Sequence, residues 1–183
     1  MSKIAIMMAD GVEEIEALAV VDLLRRAGKT IDMVSITEAG LINGSHGIKF
    51  EADMTISQAD FAGYDMIVLP GGGVGTKNLK ASDKVKEIVM AAYNNDKYIA
   101  AICAAPTVFA SYGILEGKNA CCYETCEPDM AGAVINRNEV TLDGKIVTSR
   151  GMGTAIPFGL KLVEIFDGKE AADKLAAAIM YVH

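Results

Sequence analysis

The stretch YIAAICAAPTVFA, residues 98–110, changes character at a single cysteine. Its first five residues, 98–102, form an apolar, β-prone run that is typical of a buried strand. The residues after Cys103 favour a helix, which Gly113 would end. A strand that turns directly into a helix predicts a strained nucleophile elbow, with the Cys103 side chain projecting from the edge of a sheet.

Strands and helices alternate on both sides of this elbow. Apolar runs predict buried strands at 3–9, 30–36, 65–70 and 98–102, and another at 119–123. Apolar residues at helical spacing predict helices at 13–28, about 76–95, 105–113, about 154–166 and 169–181. A turn with a short edge strand is predicted at 43–53, and a hairpin with an Asp143-Gly144 turn at 138–149.

This alternation predicts a mostly parallel sheet with helices on both faces, an α/β three-layer sandwich. The 183 residues fit a single domain, 1–183, and no repeat or linker divides them. Sites in such sheets form at the carboxyl ends of the strands. We therefore expect the loops at 10–13, 70–75 and 103–105 to lie together.

Composition excludes several classes of function. The net charge is −7, from 17 basic and 24 acidic residues, and no basic block is present, which argues against a sequence-independent nucleic-acid surface. No apolar segment approaches the roughly 20 residues of a membrane span. The apolar start of the chain is too short for a signal peptide, and four cysteines without one indicate reduced thiols. We expect a cytoplasmic protein.

The position of Cys103 gives its thiol two interpretations. At the start of a helix, free N–H groups and the helix dipole would stabilise a thiolate and lower the thiol pKa. The small neighbours Ala101, Ala104 and Ala105 leave room for the tight turn. Alternatively, Cys103 is a small apolar residue that fills the core, as many cysteines do in reduced proteins.

The loop LPGGGVG, residues 69–75, holds three successive glycines. It matches neither a phosphate-binding loop nor a dinucleotide fingerprint. Glycines let backbone N–H groups approach a ligand closely, so the N–H groups of Gly72 and Ala104 could form an oxyanion hole. The alternative is a flexible turn between a strand and a helix.

The segment DGVEEIEAL, residues 10–18, places three glutamates near the start of the first predicted helix. Glu13 and Glu14 suit the positive end of the helix dipole. Glu16 has apolar neighbours, and burial would favour its protonated form. A neutral Glu16 could donate a hydrogen bond to a thiolate. The alternative is three ordinary solvated carboxylates.

The remaining cysteines and the two histidines have no clear catalytic placement. Metal ligation by CCYETC, residues 121–126, is conceivable, but the spacing matches no standard zinc pattern and no histidine is near, so we predict no metal. Its cysteines, Cys121, Cys122 and Cys126, could resolve an oxidised Cys103 or act as small apolar residues. Neither His46 nor His183 is placed as a general base by its position in the sequence.

Four motifs together resemble the ThiJ/PfpI family: DGVEEIEA, DMIVLPGGGVG, AAICAAPTVFA and VTSRGMGTA. They follow the family's order and approximate spacing nearly from end to end. The best resemblance is to the subgroup related to the Parkinson-associated, glyoxalase III-like deglycase. It implies a flavodoxin-like sandwich of the class I glutamine amidotransferase type, usually a homodimer.

The resemblance also implies roles for individual residues. Cys103 would be the nucleophile, and Glu16 the protonated partner of its thiolate. Gly72 and Ala104 would supply backbone donors, and Arg150 would lie near the site or a dimer contact. Ala104 stands where the protease-like branch has a histidine, which argues against a peptidase. Tyr123 stands about where the human-like branch has its histidine, which argues against high turnover.

The function implied is a cysteine-dependent, cofactor-independent enzyme that acts on reactive α-oxoaldehydes. Its substrate would be a small aldehyde or a glycated protein or nucleotide. The alternative is a peroxide sensor or chaperone-like stress protein that acts through oxidation of Cys103. A weaker alternative, thiazole monophosphate biosynthesis, rests on a family label alone, since the sequence has no phosphate loop or basic cluster.

Overall fold

The structure is a computed structural model that describes residues 2–181. The strands are β1 (Lys3–Met8), β2 (Thr30–Ser35), β3 (Leu41–Asn43), β4 (Lys49–Glu51), β5 (Met54–Thr55), β6 (Met66–Leu69), β7 (Tyr98–Ile102), β8 (Asn119–Ala120), β9 (Val134–Ile135), β10 (Val140–Asp143) and β11 (Ile146–Ser149). The helices are α1 (Glu14–Arg26), α2 (Gly73–Ala81), α3 (Asp83–Asn94), α4 (Pro106–Ser111), α5 (Ala155–Asp167) and α6 (Lys169–Ala178).

Seven strands form the central sheet, in the order β10-β11-β7-β6-β1-β2-β5. All neighbours are parallel except the hairpin β10–β11. Leu69 pairs with Ala101, and Ser149 pairs with Ile102, so β6, β7 and β11 end side by side. The loops that follow these three strands therefore meet at one edge of the sheet.

Each face of the sheet is covered by its own apolar core. In β1, Ala5 and Met7 face the core formed with α2, α3 and α4, whereas Ile4 and Ile6 face the core formed with α1, α5 and α6. Burial on both faces explains why the central strands read as continuous apolar runs. The predicted α/β three-layer sandwich with a mostly parallel sheet is confirmed.

One predicted helix is divided in two. The expected helix at about 76–95 is α2 and α3, separated at Ser82, whose φ of −86° and ψ of 110° are extended. The Ser82 side chain accepts a hydrogen bond from the backbone N–H of Val85 at 3.3 Å and so caps the second helix. The Ser82-Asp83 pair is a start signal inside an otherwise periodic run.

Two predicted strands are shorter than expected. Residues 43–53 contain the end of a small hairpin, β3–β4, and β5 at Met54–Thr55 extends the main sheet. In 119–123 only β8 is a strand, and it pairs with β9 outside the central sheet. Its ladder ends because the backbone N–H of Cys121 donates to the side chain of Thr148, at 3.0 Å.

The predicted hairpin at 138–149 is β10–β11, with its turn displaced by one residue. Asp143 pairs with Ile146, so the loop is Gly144-Lys145 rather than Asp143-Gly144. Gly144 has a φ of +61°, which the first loop position of a tight hairpin requires. No helix in residues 2–181 is long and apolar enough to cross a membrane. His183 lies outside the described residues.

Candidate active site

Cys103 occupies a strained turn directly after β7. Its φ is +65°, a left-handed conformation that is uncommon for residues other than glycine. The turn is fixed from both sides, because the Cys103 N–H donates to the Ser149 carbonyl at 3.0 Å and the Cys103 carbonyl accepts from the Tyr123 N–H at 2.8 Å. The predicted strained turn at Cys103 is therefore present. The helix starts later than expected, at Pro106, and has six residues.

The glycine loop packs tightly against this turn. A Cβ atom on Gly71 would lie 2.5 Å from the Cβ of Cys103 and would also overlap the Glu16 carboxyl group. Gly72 has a φ of +98°, and a Cβ there would lie 2.6 Å from the backbone N of Glu13. The loop is therefore a close backbone approach and not a flexible turn.

Glu16 lies in the same site and is almost completely buried, with 1% of its surface exposed. Burial raises the pKa of its carboxyl group to about 7, with help from the charge of Glu13. The Cys103 thiol and the N–H groups of Gly71 and Met152 act in the opposite direction. The Glu16 Oε2 atom is buried without a partner at hydrogen-bonding distance, so none of these groups satisfies that oxygen fully.

The thiol of Cys103 does not have the lowered pKa that its position in the sequence suggests. Burial, together with the charge and hydrogen bonding of Glu16, raises the pKa to about 12. The backbone N–H groups of Gly72 and Ala104 point toward the sulfur and lower the pKa. The sequence-based expectation overestimated the helix, because Cys103 lies three residues before a six-residue helix.

Cys103 and Glu16 therefore titrate as a pair. Two protons are bound below about pH 7, and one is bound between about pH 7 and about pH 12. The influence of Glu16 on the thiol pKa exists only while the carboxyl group is ionised. When the shared proton lies on Glu16, the neighbouring thiolate is no longer opposed by a negative charge, and the amides of Gly72 and Ala104 can stabilise it.

Two further predicted residues lie near the pair. The aromatic ring of Tyr123 is half exposed and packs over Gly151, whose own Cβ position would be 3.9 Å from Oε1 of Glu16. Arg150 lies between Gly151 and Ser149, the residue whose carbonyl accepts from Cys103. The structure thus brings Cys103, Glu16, Gly72 and Ala104 into direct proximity and places Tyr123 and Arg150 around them.

Sequence reasoning missed the role of Glu14. Its side chain is 2% exposed, and its Oε1 accepts from the His46 backbone N–H at 2.7 Å. Its Oε2 lies 3.1 Å from Nδ1 of His46 and 3.2 Å from Oγ of Ser45. Burial alone would raise the pKa of Glu14, but hydrogen bonds led by the His46 N–H lower it to about 2. Glu14 therefore fixes the β3–β4 hairpin on the start of α1.

No sequence signal identified this contact, because Glu14 and His46 are distant in the chain and their neighbours are ordinary surface residues. His46 lies in the turn between β3 and β4, beside the start of α1. Its ring forms hydrogen-bonding contacts with Ser45 and Glu14. Within residues 2–181, Glu13, Glu14 and His46 are the one group whose side chains come close enough to hold a metal ion.

The other three cysteines are free thiols. Cys121 is buried, and its thiol donates to the Thr148 carbonyl at 3.3 Å. Burial raises the pKa of Cys122 to about 12, and burial also raises the pKa of Cys126. The raised pKa disfavours a thiolate at Cys122. Cys121 and Cys122 are both buried and so fit the interpretation as small apolar residues.

The fold and the site define a class of α/β sandwich proteins in which a strained cysteine after a central strand lies against a buried glutamate. The profile of the DJ-1/PfpI family matches residues 2–165. The chain therefore belongs to the DJ-1/PfpI family, and the resemblance to ThiJ/PfpI proteins is confirmed.

Individual relatives agree with this assignment. "Protein DJ-1 homolog B" of Arabidopsis thaliana is 37% identical over 180 residues, covering 97% of this chain but 41% of that protein. The chain thus spans less than half of this plant relative. "Parkinson disease protein 7 homolog" of Danio rerio is 34% identical over 179 residues, covering 96% of this chain and 95% of that protein.

The solved structures give the same result. The structure described as "Toxoplasma gondii DJ-1, oxidized" superimposes with a TM-score of 0.96 at 34% identity, over 100% of both chains.

Proposed function

We propose that the chain is a cysteine-dependent enzyme that converts reactive α-oxoaldehydes to 2-hydroxy acids without glutathione or another cofactor. The single observation that carries this proposal is the pairing of Cys103 with a buried carboxyl group whose pKa is raised to about 7. A group with a pKa near the working pH can both donate and accept a proton efficiently. An isomerisation that moves a proton between two carbons needs both abilities.

The reaction begins with attack of the Cys103 thiolate on the aldehyde carbon of methylglyoxal. The new C–S bond gives a hemithioacetal, and neutral Glu16 donates its proton to the developing alkoxide. The amides of Gly72 and Ala104, which point toward the sulfur, lie where they can stabilise charge next to it. This step leaves Glu16 as a carboxylate beside the adduct.

The carboxylate of Glu16 then removes the proton from the former aldehyde carbon, while the hydroxyl proton on that carbon moves to the oxygen of the neighbouring carbon, which gives an enediolate. Return of that proton to the neighbouring carbon yields a 2-hydroxy thioester on Cys103. Water hydrolyses the thioester, which releases lactate and restores the thiol and the carboxyl group. One carbon is oxidised and its neighbour is reduced, so no external oxidant or reductant is needed. Deglycation would use the same attack on an aldehyde adduct of a protein or nucleotide.

The test is turnover of methylglyoxal without glutathione, counted as lactate formed per subunit. We expect many equivalents from the wild type and a loss of at least about 100-fold in Cys103→Ser and Glu16→Gln, since acid–base groups typically contribute 10²–10⁴-fold. Cys126→Ser is the matched control, because it removes another partly exposed thiol and should retain activity. Lactate at or below one equivalent in the wild type would overturn the proposal.

A second candidate function is peroxide sensing, in which Cys103 is oxidised and neutral Glu16 donates a hydrogen bond to the product. Support comes from the buried and unpartnered Oε2 of Glu16 next to the sulfur, and from the Toxoplasma relative described as oxidized. Stoichiometric oxidation of Cys103 by peroxide, without aldehyde turnover, would favour this function. Chaperone-like activity would then depend on the oxidised state.

We also propose a homodimer that acts in the cytoplasm. Support for the homodimer comes from apolar side chains on α1 and α5: Ile15 is 50% exposed and Ile156 is 37% exposed. Ile156 lines a depression with Ala19 and Leu23 of α1, and the ion pair between Asp22 and Arg26 lines the same depression. Four free thiols suit a reducing compartment.

A further inference from the structure

Arg150 is held directly beside the candidate active site by its backbone. The preceding residue, Ser149, accepts a hydrogen bond from Cys103, and the following residue, Gly151, faces Glu16 and Tyr123. The Arg150 N–H itself lies 3.2 Å from Oγ1 of Thr154. The position of this residue is therefore fixed by the same contacts that shape the site.

The guanidinium group of Arg150 differs from those of the other three arginines. Arg25, Arg26 and Arg137 each contact a carboxylate within 3.2 Å. In the described part of the chain, Arg150 contacts none within 4.0 Å, and its one side-chain hydrogen bond is a long one, 3.5 Å from Nη1 to the Arg137 carbonyl. Most of the guanidinium N–H groups of Arg150 therefore remain available to a ligand.

Charges near Arg150 favour a particular kind of ligand. Two acidic residues of the 124–129 turn are engaged, because Arg137 pairs with both Glu124 and Glu127. On the other side of the site, Glu13 and Glu16 carry negative charge when ionised. One available cation among carboxylates suits a monoanion better than a doubly charged phosphate.

We propose that Arg150 binds a carboxylate of the substrate, so that the preferred α-oxoaldehydes are those that carry a carboxylate at their far end. The planar guanidinium fork matches a carboxylate through two parallel hydrogen bonds. The aldehyde carbon of the same molecule would meet Cys103. The substrate class rests on the proposed function, whereas anion recognition beside Cys103 does not.

The first test compares two substrates of equal chain length. 4,5-Dioxopentanoate carries the carboxylate, and 2-oxopentanal does not. We expect the ratio of their kcat/KM values to fall at least about tenfold in Arg150→Met, through a higher KM for the anion. Arg150→Lys should recover part of the ratio, because it keeps the charge and loses the fork. An unchanged ratio in Arg150→Met overturns the proposal.

A control arginine tests whether any loss of charge has the same effect. Arg26 is exposed and lies ten residues after Glu16 on α1, about 15 Å along the helix. Arg26→Met should leave the substrate ratio within about twofold of the wild type, since a screened charge at that distance contributes little. A matching fall in Arg26→Met would overturn a specific role for Arg150.

The second test requires no turnover. Iodoacetate and iodoacetamide alkylate the same thiol, and only the first is an anion. We expect the Cys103 rate ratio, iodoacetate over iodoacetamide, to fall severalfold in Arg150→Met and to be unchanged in Arg26→Met.

The two tests separate the two proposals. If both aldehydes are turned over and the ratio of their kcat/KM values is unchanged in Arg150→Met, the inference is overturned and the proposed function stands. No turnover with an Arg150-dependent alkylation ratio overturns the proposed function and leaves anion recognition standing. No turnover and no dependence on Arg150 overturns both.

Discussion

At the scale of single residues, Cys103 and Glu16 share one proton between about pH 7 and about pH 12. The predicted consequence is a pH profile for alkylation of Cys103 by iodoacetamide. The rate should rise with a midpoint near pH 7, where the pair loses its first proton, and then reach a plateau. Below that pH, both groups are protonated and the thiolate is absent.

The control for this profile is Glu16→Gln. A glutamine cannot accept the thiol proton, so the rate should rise only as the buried thiol ionises by itself, above its ordinary pKa of 9.0. Glu87→Gln, an exposed change on α3, should reproduce the wild-type midpoint. Identical midpoints in the wild type and Glu16→Gln would contradict the shared-proton description.

The close approach of Gly71 gives a second prediction. Gly71→Ala should lower the alkylation rate of Cys103 by more than about tenfold and lower the melting temperature, because its Cβ overlaps both Cys103 and Glu16. Gly73→Ala is the matched control, since nothing lies within 4 Å of a Cβ there. Equal behaviour of the two variants, measured by mass spectrometry and calorimetry, would contradict the packing described for the loop.

At this scale the sequence predicted residue types better than environments. The turn at Cys103 and the burial of Glu16 could be predicted, because both depend on the local pattern of apolar residues. The thiol pKa was wrong in direction, because it depends on burial and on a carboxyl group 87 positions away in the chain. The contact between Glu14 and His46 could not be predicted, because these residues are also far apart in the sequence.

At the scale of elements, the β3–β4 hairpin depends on the buried carboxylate of Glu14. Its pKa is about 2 in the folded state and ordinarily 4.5, so it stabilises the fold above pH 4.5 and loses this contribution as the pH falls toward 2. Glu14→Gln should cost about 1–3 kcal/mol of unfolding free energy at pH 7, because donors from the hairpin lose their charged acceptor.

Urea unfolding at pH 7 and at pH 3 measures this effect. The difference between the wild type and Glu14→Gln should be smaller at pH 3. Glu51→Gln, an exposed substitution on the same hairpin, should cost less than about 0.5 kcal/mol at both pH values. An equal difference in unfolding free energy between the wild type and Glu14→Gln at the two pH values would contradict a role for the charge of Glu14 in holding the hairpin.

Element prediction succeeded where periodicity was long and failed at short signals. The central strands and α1 carry strong apolar patterns and were placed within a few residues. The break at Ser82 was missed because a one-residue cap interrupts two helices whose apolar faces nearly continue each other. The end of β8 depends on a side-chain acceptor, Thr148, which no local pattern in 119–123 encodes.

At the scale of the whole molecule, the proposed dimer makes the exposed apolar residues of α1 and α5 useful probes. We expect wild-type protein to elute with about twice the 19.3 kDa mass of one chain. Ile156→Glu should shift the mass toward the monomer, because it buries a charge in the proposed contact. Leu142→Glu, at an exposed apolar residue of β10, should remain dimeric. Light scattering after gel filtration distinguishes these outcomes.

The overall architecture was predictable because it follows from burial. Strands buried on both faces must read as apolar runs, and the helices that cover them must carry apolar stripes. The strand order also determines where the candidate site lies, since β6, β7 and β11 end together. The mutual arrangement of side chains in the loops beyond those ends was open, because it depends on contacts between distant segments.

The left-handed backbone of Cys103 has a consequence for how this protein could change under selection. At most ordered positions alanine is more stable than glycine, but with a φ of +65° the order should reverse, by about 1 kcal/mol. A laboratory selection for heat resistance alone should therefore drift toward glycine at this position and discard the thiol. If the cysteine were retained under selection for heat resistance, its thiol would have to contribute to a function that the selection also requires.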